Sequence, residues 1–340
     1  MTTISTLSEF LLQAGTEYRV YDMGRGIRYL PDQLFLDIEN GAIPYPYPRQ
    51  SHAWIGILFW NKNLSHEHYI WFLKLPVDEF SHLISGPRDH FLNLVVEALA
   101  NTSSNQSDTL SKVENPYNFT PNQQALADFN ALTKSQLQLP PSNFYQETKS
   151  YLSAPKVINW QTLALQGIAD FCANMTEGDN EKTLINAIKS LPAPVQNAFF
   201  ASFEHYSLPI DLVEVLLELA NENKKDINTQ ALVVRSLAQS QQYQVVKEYI
   251  LGLLNRNDSK DINLLSVVVG RHWQLLDKTE TVTSLLESAV AVSPDVCTGL
   301  YQDLVGIPEM RKLMLEVLRK SSSSALLDTC FKQLRKELST

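Results

Sequence analysis

The sequence predicts a helix-dominated chain in two parts, an N-terminal α+β domain followed by an all-α solenoid of stacked helix pairs. Three observations carry this reading. An apolar triplet at i, i+4, i+7 recurs as Leu184/Ile188/Leu191, Leu212/Leu216/Leu219, Val246/Ile250/Leu253, Val282/Leu286/Ala289 and Met310/Met314/Val317, in steps of 28, 34, 36 and 28 residues. Each triplet lies on one helical stripe, and its return near a fixed period implies that neighbouring helix pairs bury one continuous core. Asp226-Ile-Asn and Asp261-Ile-Asn, 35 residues apart, each open an apolar helix, and Asp295-Val-Cys follows 34 residues later, after Pro294. The clearest strands, Ala53 to Trp60 and Tyr69 to Leu75, both fall in the first hundred residues. A repeat frame specifies architecture and leaves function open, because such folds carry unrelated activities.

Taken in order, residues 1–100 form the α+β domain around an aromatic hairpin. A helix from Ile4 to Ala14, with Leu7, Leu11 and Ala14 on one face, ends at Gly15. Two strands, Glu17 to Met23 and Ile27 to Leu30, flank Gly24-Arg25-Gly26, a turn that calls for positive φ. A short helix after Pro31 presents Leu34, Phe35 and Ile38 and stops at Asn40-Gly41. Alternate prolines make Ile43 to Arg49 an extended surface connector. The two aromatic strands pair across a polar loop, and a helix from Pro87 buries Phe91, Leu94, Val95, Ala98 and Leu99. Residues 101–118 are too polar to bury and read as a linker. Connecting helices occupy 119–158, the first capped by Thr120-Pro121, and the solenoid runs from 159 to 340.

A formal charge of -9 and an even spread of acid leave no basic arm, so nucleic acid is not an expected partner. Ala53 to Trp60 is the longest strongly apolar run and falls far short of the roughly 20 residues that span a bilayer as a helix. With no basic, cleavable leader at the N-terminus, a cytoplasmic location is expected. Cys172, Cys297 and Cys330 are scattered in apolar helical patterns and read as buried free thiols.

No G-x-S-x-G, Walker-type phosphate loop, G-x-G-x-x-G or H-E-x-x-H occurs, which lowers the expectation of an enzyme, and no cofactor or catalytic residue is assigned. Five of the seven histidines, His52, His66, His68, His82 and His90, crowd one segment. His66 and His68 share a side of a strand start, but no third ligand is fixed, so they read as solvated loop residues with no metal. Gly24-Arg25-Gly26 with Arg28 and Arg49 could cradle an anion; a tight turn with exposed arginines is the plainer alternative. Tyr45, Tyr47 and Trp54 form either an aromatic contact patch or packing beneath a strand. Arg25, Tyr45, Tyr47 and Arg49 are the candidate interaction residues.

The run from Met1 to Leu99 contains Tyr18-Arg-Val-Tyr-Asp-Met-Gly-Arg-Gly-Ile-Arg-Tyr-Leu, Ile43-Pro-Tyr-Pro, Ala53-Trp-Ile-Gly-Ile-Leu-Phe-Trp and Ile70-Trp-Phe-Leu-Lys-Leu-Pro-Val-Asp-Glu. It resembles an uncharacterised bacterial domain-of-unknown-function family whose likeness extends over most of the chain. That resemblance implies a cytosolic bacterial protein and supplies no site residues. The helical half resembles HEAT-type repeats. The expected function is a non-enzymatic scaffold or adaptor that binds a protein partner or a second copy of itself, without nucleic acid or membrane. The alternative is an enzyme or ligand-binding protein with an unrecognised site in the α+β domain.

Overall fold

The computed structural model describes residues 5–61, 68–102, 115–256, 258, 260–320, 324, 326–328 and 331–332. It is helix-dominated, with a small antiparallel sheet near the N-terminus. The chain divides into two compact units: Met1–Thr120 with Gly306–Glu309, and Pro121–Val305 with Met310–Thr340.

The first unit opens with α1 (Leu7–Gln13), whose N-terminus is closed twice. Thr6 Oγ1 accepts from Glu9 N at 3.0 Å, and the distant Glu39 carboxylate accepts from Leu7 N at 2.6 Å and Ser8 N at 3.0 Å. A carboxylate at a helix N-terminus satisfies orphan donors and complements the dipole. After Gly15, at φ +73°, come β1 (Thr16–Asp22), β2 (Arg28–Leu30), α2 (Asp32–Glu39), β3 (His52–Asn61), β4 (His68–Pro76) and α3 (Ser85–Thr102). The sheet order is β2-β1-β3-β4, all antiparallel, so the expected aromatic hairpin β3–β4 is joined along β3 by β1. Val20, Ile55, Ile57, Leu73 and Leu75 gather from the strands into one core with Leu7, Leu11, Phe35, Ile38 and Phe91 from α1, α2 and α3.

Two expectations need correcting here. The proline segment is not merely a surface connector: Tyr45 and Pro48 are buried, and Tyr45 N donates to Ser81 O at 2.7 Å. Its prolines remove donors, yet they also hold φ so that alternate side chains turn inward. The stretch read as linker ends against the sheet, where Lys74 N donates to Tyr117 O at 2.7 Å and Phe119 N to Phe72 O at 3.1 Å. Residues 103–114 of that stretch lie outside the described residues.

The second unit is helical: α4 (Gln123–Gln136), α5 (Phe144–Ser153), α6 (Leu165–Ala173), α7 (Asn180–Ile188), α8 (Ala193–Phe203), α9 (Ile210–Glu222), α10 (Ile227–Ser236), α11 (Tyr243–Leu254), α12 (Ile262–Arg271), α13 (Thr279–Val292), α14 (Pro294–Gly306) and α15 (Pro308–Lys320). Helix α4 packs on α6, α6 on α8, α8 on α10 and α10 on α12, while α5 packs on α7, α7 on α9 and α11 on α13. The five apolar triplets sit at α7, α9, α11, α13 and α15, with Leu191 just past the end of α7, and no member is more than 8% exposed. Asp226 and Asp261 are the N-caps of α10 and α12, accepting from Asn228 N and Asn263 N. Helix α4 is capped by Asn122, which accepts from Ala125 N at 2.8 Å, not by the expected Thr120.

At Gly167 a Cβ would stand 2.5 Å from Phe144 O and 2.6 Å from Thr148 Oγ1, so α6 approaches α5 closer than any side chain permits. Cys172 is a buried free thiol, as expected, but Cys297 is disulfide-bonded. Sequence separation conceals which cysteines meet in space, and Cys330 lies outside the described residues.

Candidate functional site

The first constellation lies at the end of the sheet where the β1–β2 turn, the proline segment and the start of β3 meet. Asp22, the last residue of β1, is fully buried. Its Oδ1 accepts from Gly24 N at 3.1 Å and from the Tyr45 hydroxyl at 2.6 Å, and its Oδ2 from Arg25 N at 3.0 Å. Burial drives its carboxyl above the ordinary carboxylate range; the Tyr45, Arg25 and Gly24 hydrogen bonds and the nearby Arg28 charge offset only part of that. Burial and the Asp22 charge push the Tyr45 phenol well up as well. Gly24 is closely approached, since a Cβ there would meet Asp22 Oδ1 at 3.3 Å and crowd the carboxylate. Gly26, at φ +122°, closes the turn as its sequence implied.

Four of the seven Lys and Arg residues in positions 1–100, Arg25, Arg28, Arg49 and Lys74, lie at this end of the sheet. Arg25 is buried, with its Nε donating to Pro48 O at 2.9 Å, so it braces the proline segment from within. The Arg28 guanidinium lies 5.2 Å from the centroid of the Tyr47 ring, and its buried Nε has no hydrogen-bond partner. Two cations share the Trp54 ring, Lys74 Nζ at 4.6 Å and the exposed Arg49 guanidinium at 5.8 Å. Cation–π attraction holds each in place. Trp54 is itself fixed by its Nε1–H donating to Arg49 O at 3.1 Å and by edge contact with Phe119. None of Arg28, Arg49 and Lys74 forms an ion pair among the described residues.

Arg49 leads into a two-residue turn, with Arg49 N donating to His52 O at 3.0 Å and His52 N to Arg49 O at 3.1 Å. Its central residues, Gln50 at φ +52° and Ser51 at φ +56°, occupy the left-handed region that Asn and Gly prefer.

Of the four candidate interaction residues, then, Arg25 and Tyr45 lie inside the cluster, Tyr47 is half-buried against Arg28, and Arg49 is exposed. The two open sequence alternatives both turn out incomplete: the turn is tight, but its middle arginine is buried. The crowded histidines disperse. His52 contacts Gln50 O, His82 lies 3.7 Å from Asp78, His90 meets the Tyr117 hydroxyl at 3.0 Å, and His66 lies outside the described residues. Among the described residues no group of three His, Cys, Asp or Glu side chains gathers to hold a metal.

A second constellation, missed in the sequence, runs through the helical unit. Glu204, at the C-terminal end of α8, binds the guanidiniums of Arg235 on α10 and Arg271 on α12 and lies 3.6 Å from His205. Burial works to raise its carboxyl, but Arg271, His205 and Arg235 together outweigh that and hold it far below the ordinary range. Asp128 on α4 lies 3.5 Å from His205 and accepts from Ser202 Oγ at 2.5 Å and Gln124 Nε2 at 3.1 Å. Cys172 is close by, but burial and the Asp128 charge raise its thiol well above the ordinary value. A thiolate nucleophile needs the reverse, and what the geometry shows for this set is a polar tie between α4 and α8. Local sequence gave no cue, because the partners of Glu204 are 31 and 67 residues away.

Among the described residues no helix is long and apolar enough to cross a membrane. No curated protein and no solved structure matches the chain. A family model does match, over residues 2–335, and the chain therefore belongs to the family described as protein of unknown function (DUF3549).

Proposed function

We propose that the chain is a non-enzymatic scaffold or adaptor of the bacterial cytoplasm, whose stacked helices form a HEAT-like solenoid holding a protein partner. The observation that supports this reading is the burial of all five triplets on alternate helices, with α4 to α12 packed even helix on even helix and α5 on α7, α7 on α9 and α11 on α13. Such stacking spends the apolar stripes internally and leaves a long outward surface for another protein. Exposed apolar side chains stand on that surface at Ile210 on α9 and at Tyr243 and Val245 on α11, 46% to 55% exposed. The acidic balance favours a protein over a phosphate backbone.

The test is purification of the full chain from its host with cross-linking mass spectrometry, beside light scattering for self-association. The expected result is a stoichiometric protein, or a second copy, cross-linked to α9 and α11 and lost on Ile210→Glu with Val245→Glu. A monomer that carries no partner, or one whose partner ignores those substitutions, overturns this reading of the surface.

A further inference from the structure

We infer that the outward face of α9, α11 and α13 docks a basic amphipathic segment of the protein partner, one of whose Lys or Arg side chains enters a cleft on α13. The inference rests on the scaffold reading and names the chemistry of what the scaffold holds. Its starting point is that charge is sorted between alternate helices. Helices α9, α11 and α13 carry seven acids, four, one and two in turn, against a single cation, Lys247, which Asp277 already engages at 2.7 Å. Helices α8, α10 and α12 carry no acid, and their two cations, Arg235 and Arg271, are bound to Glu204. On α9 the acids Asp211, Glu214, Glu218 and Glu222 fall on one stripe, opposite the buried Leu212, Leu216 and Leu219. Lys189 of α7 reaches only the far end of that stripe, at Glu218 (3.0 Å) and Glu222 (2.9 Å). Asp211, Glu214, Glu248 and Glu287 form no ion pair among the described residues.

Two features select an amphipathic peptide over a simple cation. Exposed apolar side chains stand beside the carboxylates, Ile210 one turn from Glu214 and Val245 one turn from Glu248, so part of the face is left to an apolar partner. A cleft of about 290 Å³ opens on α13, walled by Glu280, Thr283, Ser284 and Glu287, with the buried Val317 and Leu327 as its apolar lining. The Glu287 carboxylate accepts from Ser324 Oγ at 2.7 Å, and Lys320, which also borders the cleft, is engaged by Glu316 at 2.7 Å. A long basic side chain suits such a lining, its methylenes against Val317 and Leu327 and its head at Glu287. Neighbouring helices lie about 8–10 Å apart, so three in a row span about 20 Å, the reach of about 13 residues of helix. A phosphate backbone carries the wrong sign for this face, and a polyamine brings no apolar side chain to Ile210 and Val245.

The experiment titrates the full chain into a fluorescein-labelled peptide, two repeats of Lys-Leu-Ala-Lys-Leu-Ala-Lys, followed by anisotropy at low and physiological salt. Unlabelled peptide, its Glu-for-Lys counterpart and spermidine serve as competitors. The basic peptide should bind, weaken as salt rises, and lose about tenfold or more in affinity to the chain carrying Asp211→Asn with Glu214→Gln, and about threefold to Glu287→Gln. Glu79→Gln with Glu97→Gln, an equal change of charge at exposed positions of the first unit, should leave the affinity unchanged, and every variant should keep the wild-type melting temperature. No binding to the wild-type chain, an equal loss in the first-unit variant, or displacement by spermidine as readily as by unlabelled peptide would each overturn the proposal. A cross-linked partner that is lost on Ile210→Glu with Val245→Glu but persists on Asp211→Asn with Glu214→Gln, while the peptide never binds, would sink this site and leave the scaffold reading standing.

Discussion

In the helical unit one carboxylate, Glu204, is enclosed by two guanidiniums and a histidine, whereas at the end of the sheet Arg28, Arg49 and Lys74 rest on aromatic rings and form no ion pair among the described residues. The difference separates two uses of charge. Glu204 joins α8 to α10 and α12, so its neighbours are fixed by the fold and unavailable to anything else. The sheet cations are positioned by Tyr47 and Trp54 and form no ion pair among the described residues, and of the three only Arg49 is exposed. The one acid of that cluster, Asp22, is consumed by Gly24, Arg25 and Tyr45.

The comparison breaks most visibly at Glu204. Glu204→Ala leaves two partly buried guanidiniums uncompensated and should cost about 3–5 kcal/mol in urea unfolding; a loss under about 1 kcal/mol would mean that the guanidiniums find water at little cost. Next comes a pair of opposite glycine changes. Gly167→Ala drives a methyl into Phe144 O and should destabilise the helical unit by about 1–3 kcal/mol. Ser51→Gly relieves a positive φ at the sheet end and should stabilise the first unit by about 1 kcal/mol, seen as slower hydrogen exchange in β3. The smallest effect is expected for Arg49→Gln with Lys74→Gln, within about 0.5 kcal/mol of wild type, since these side chains hold nothing together.

Acid sharpens the contrast, because the carboxylates are shifted in opposite directions. Asp22 and Glu39 are raised, chiefly by burial, so the folded first unit takes up protons more readily than its unfolded chain and gains stability as pH falls from neutrality toward the ordinary carboxylate range. Glu204 is lowered, so its contribution is complete above about pH 5 and disappears as pH falls through and below that range. Hydrogen exchange at pH 7, 5 and 4 should therefore show β1 and α1 gaining protection before α8 and α10 lose it. Parallel loss in both units would refute the assignment.

Much of the frame was legible because it rests on periodicity. The five triplets and the Asp226 and Asp261 caps are set by spacings of a few residues along the chain, and β3 and β4 announce themselves by Trp, Phe and Ile. The buried polar residues were not, because each depends on a contact remote in sequence. Glu39 caps α1 from 32 residues away, Tyr45 reaches Asp22 across 23, and Arg25 meets Pro48 across the same span. The candidate site was half legible. Composition picked out Arg25, Tyr45, Tyr47 and Arg49, but no local pattern distinguishes an arginine that braces the interior from one that faces outward, and Lys74 looked like any polar position in a strand.

The short run that ends at Phe119 has a consequence for the solubility of any shortened form of the protein. By accepting from Lys74 N and donating to Phe72 O, it covers the middle of the outer edge of β4, the stretch beside Trp71, Phe72 and Leu73. Open edges of that composition recruit other chains. A truncated chain stopped at residue 102 would keep the sheet and three helices but lose its edge guard, and should form fibrillar or amorphous aggregates, whereas one stopped at 120 should remain monomeric at the same concentration.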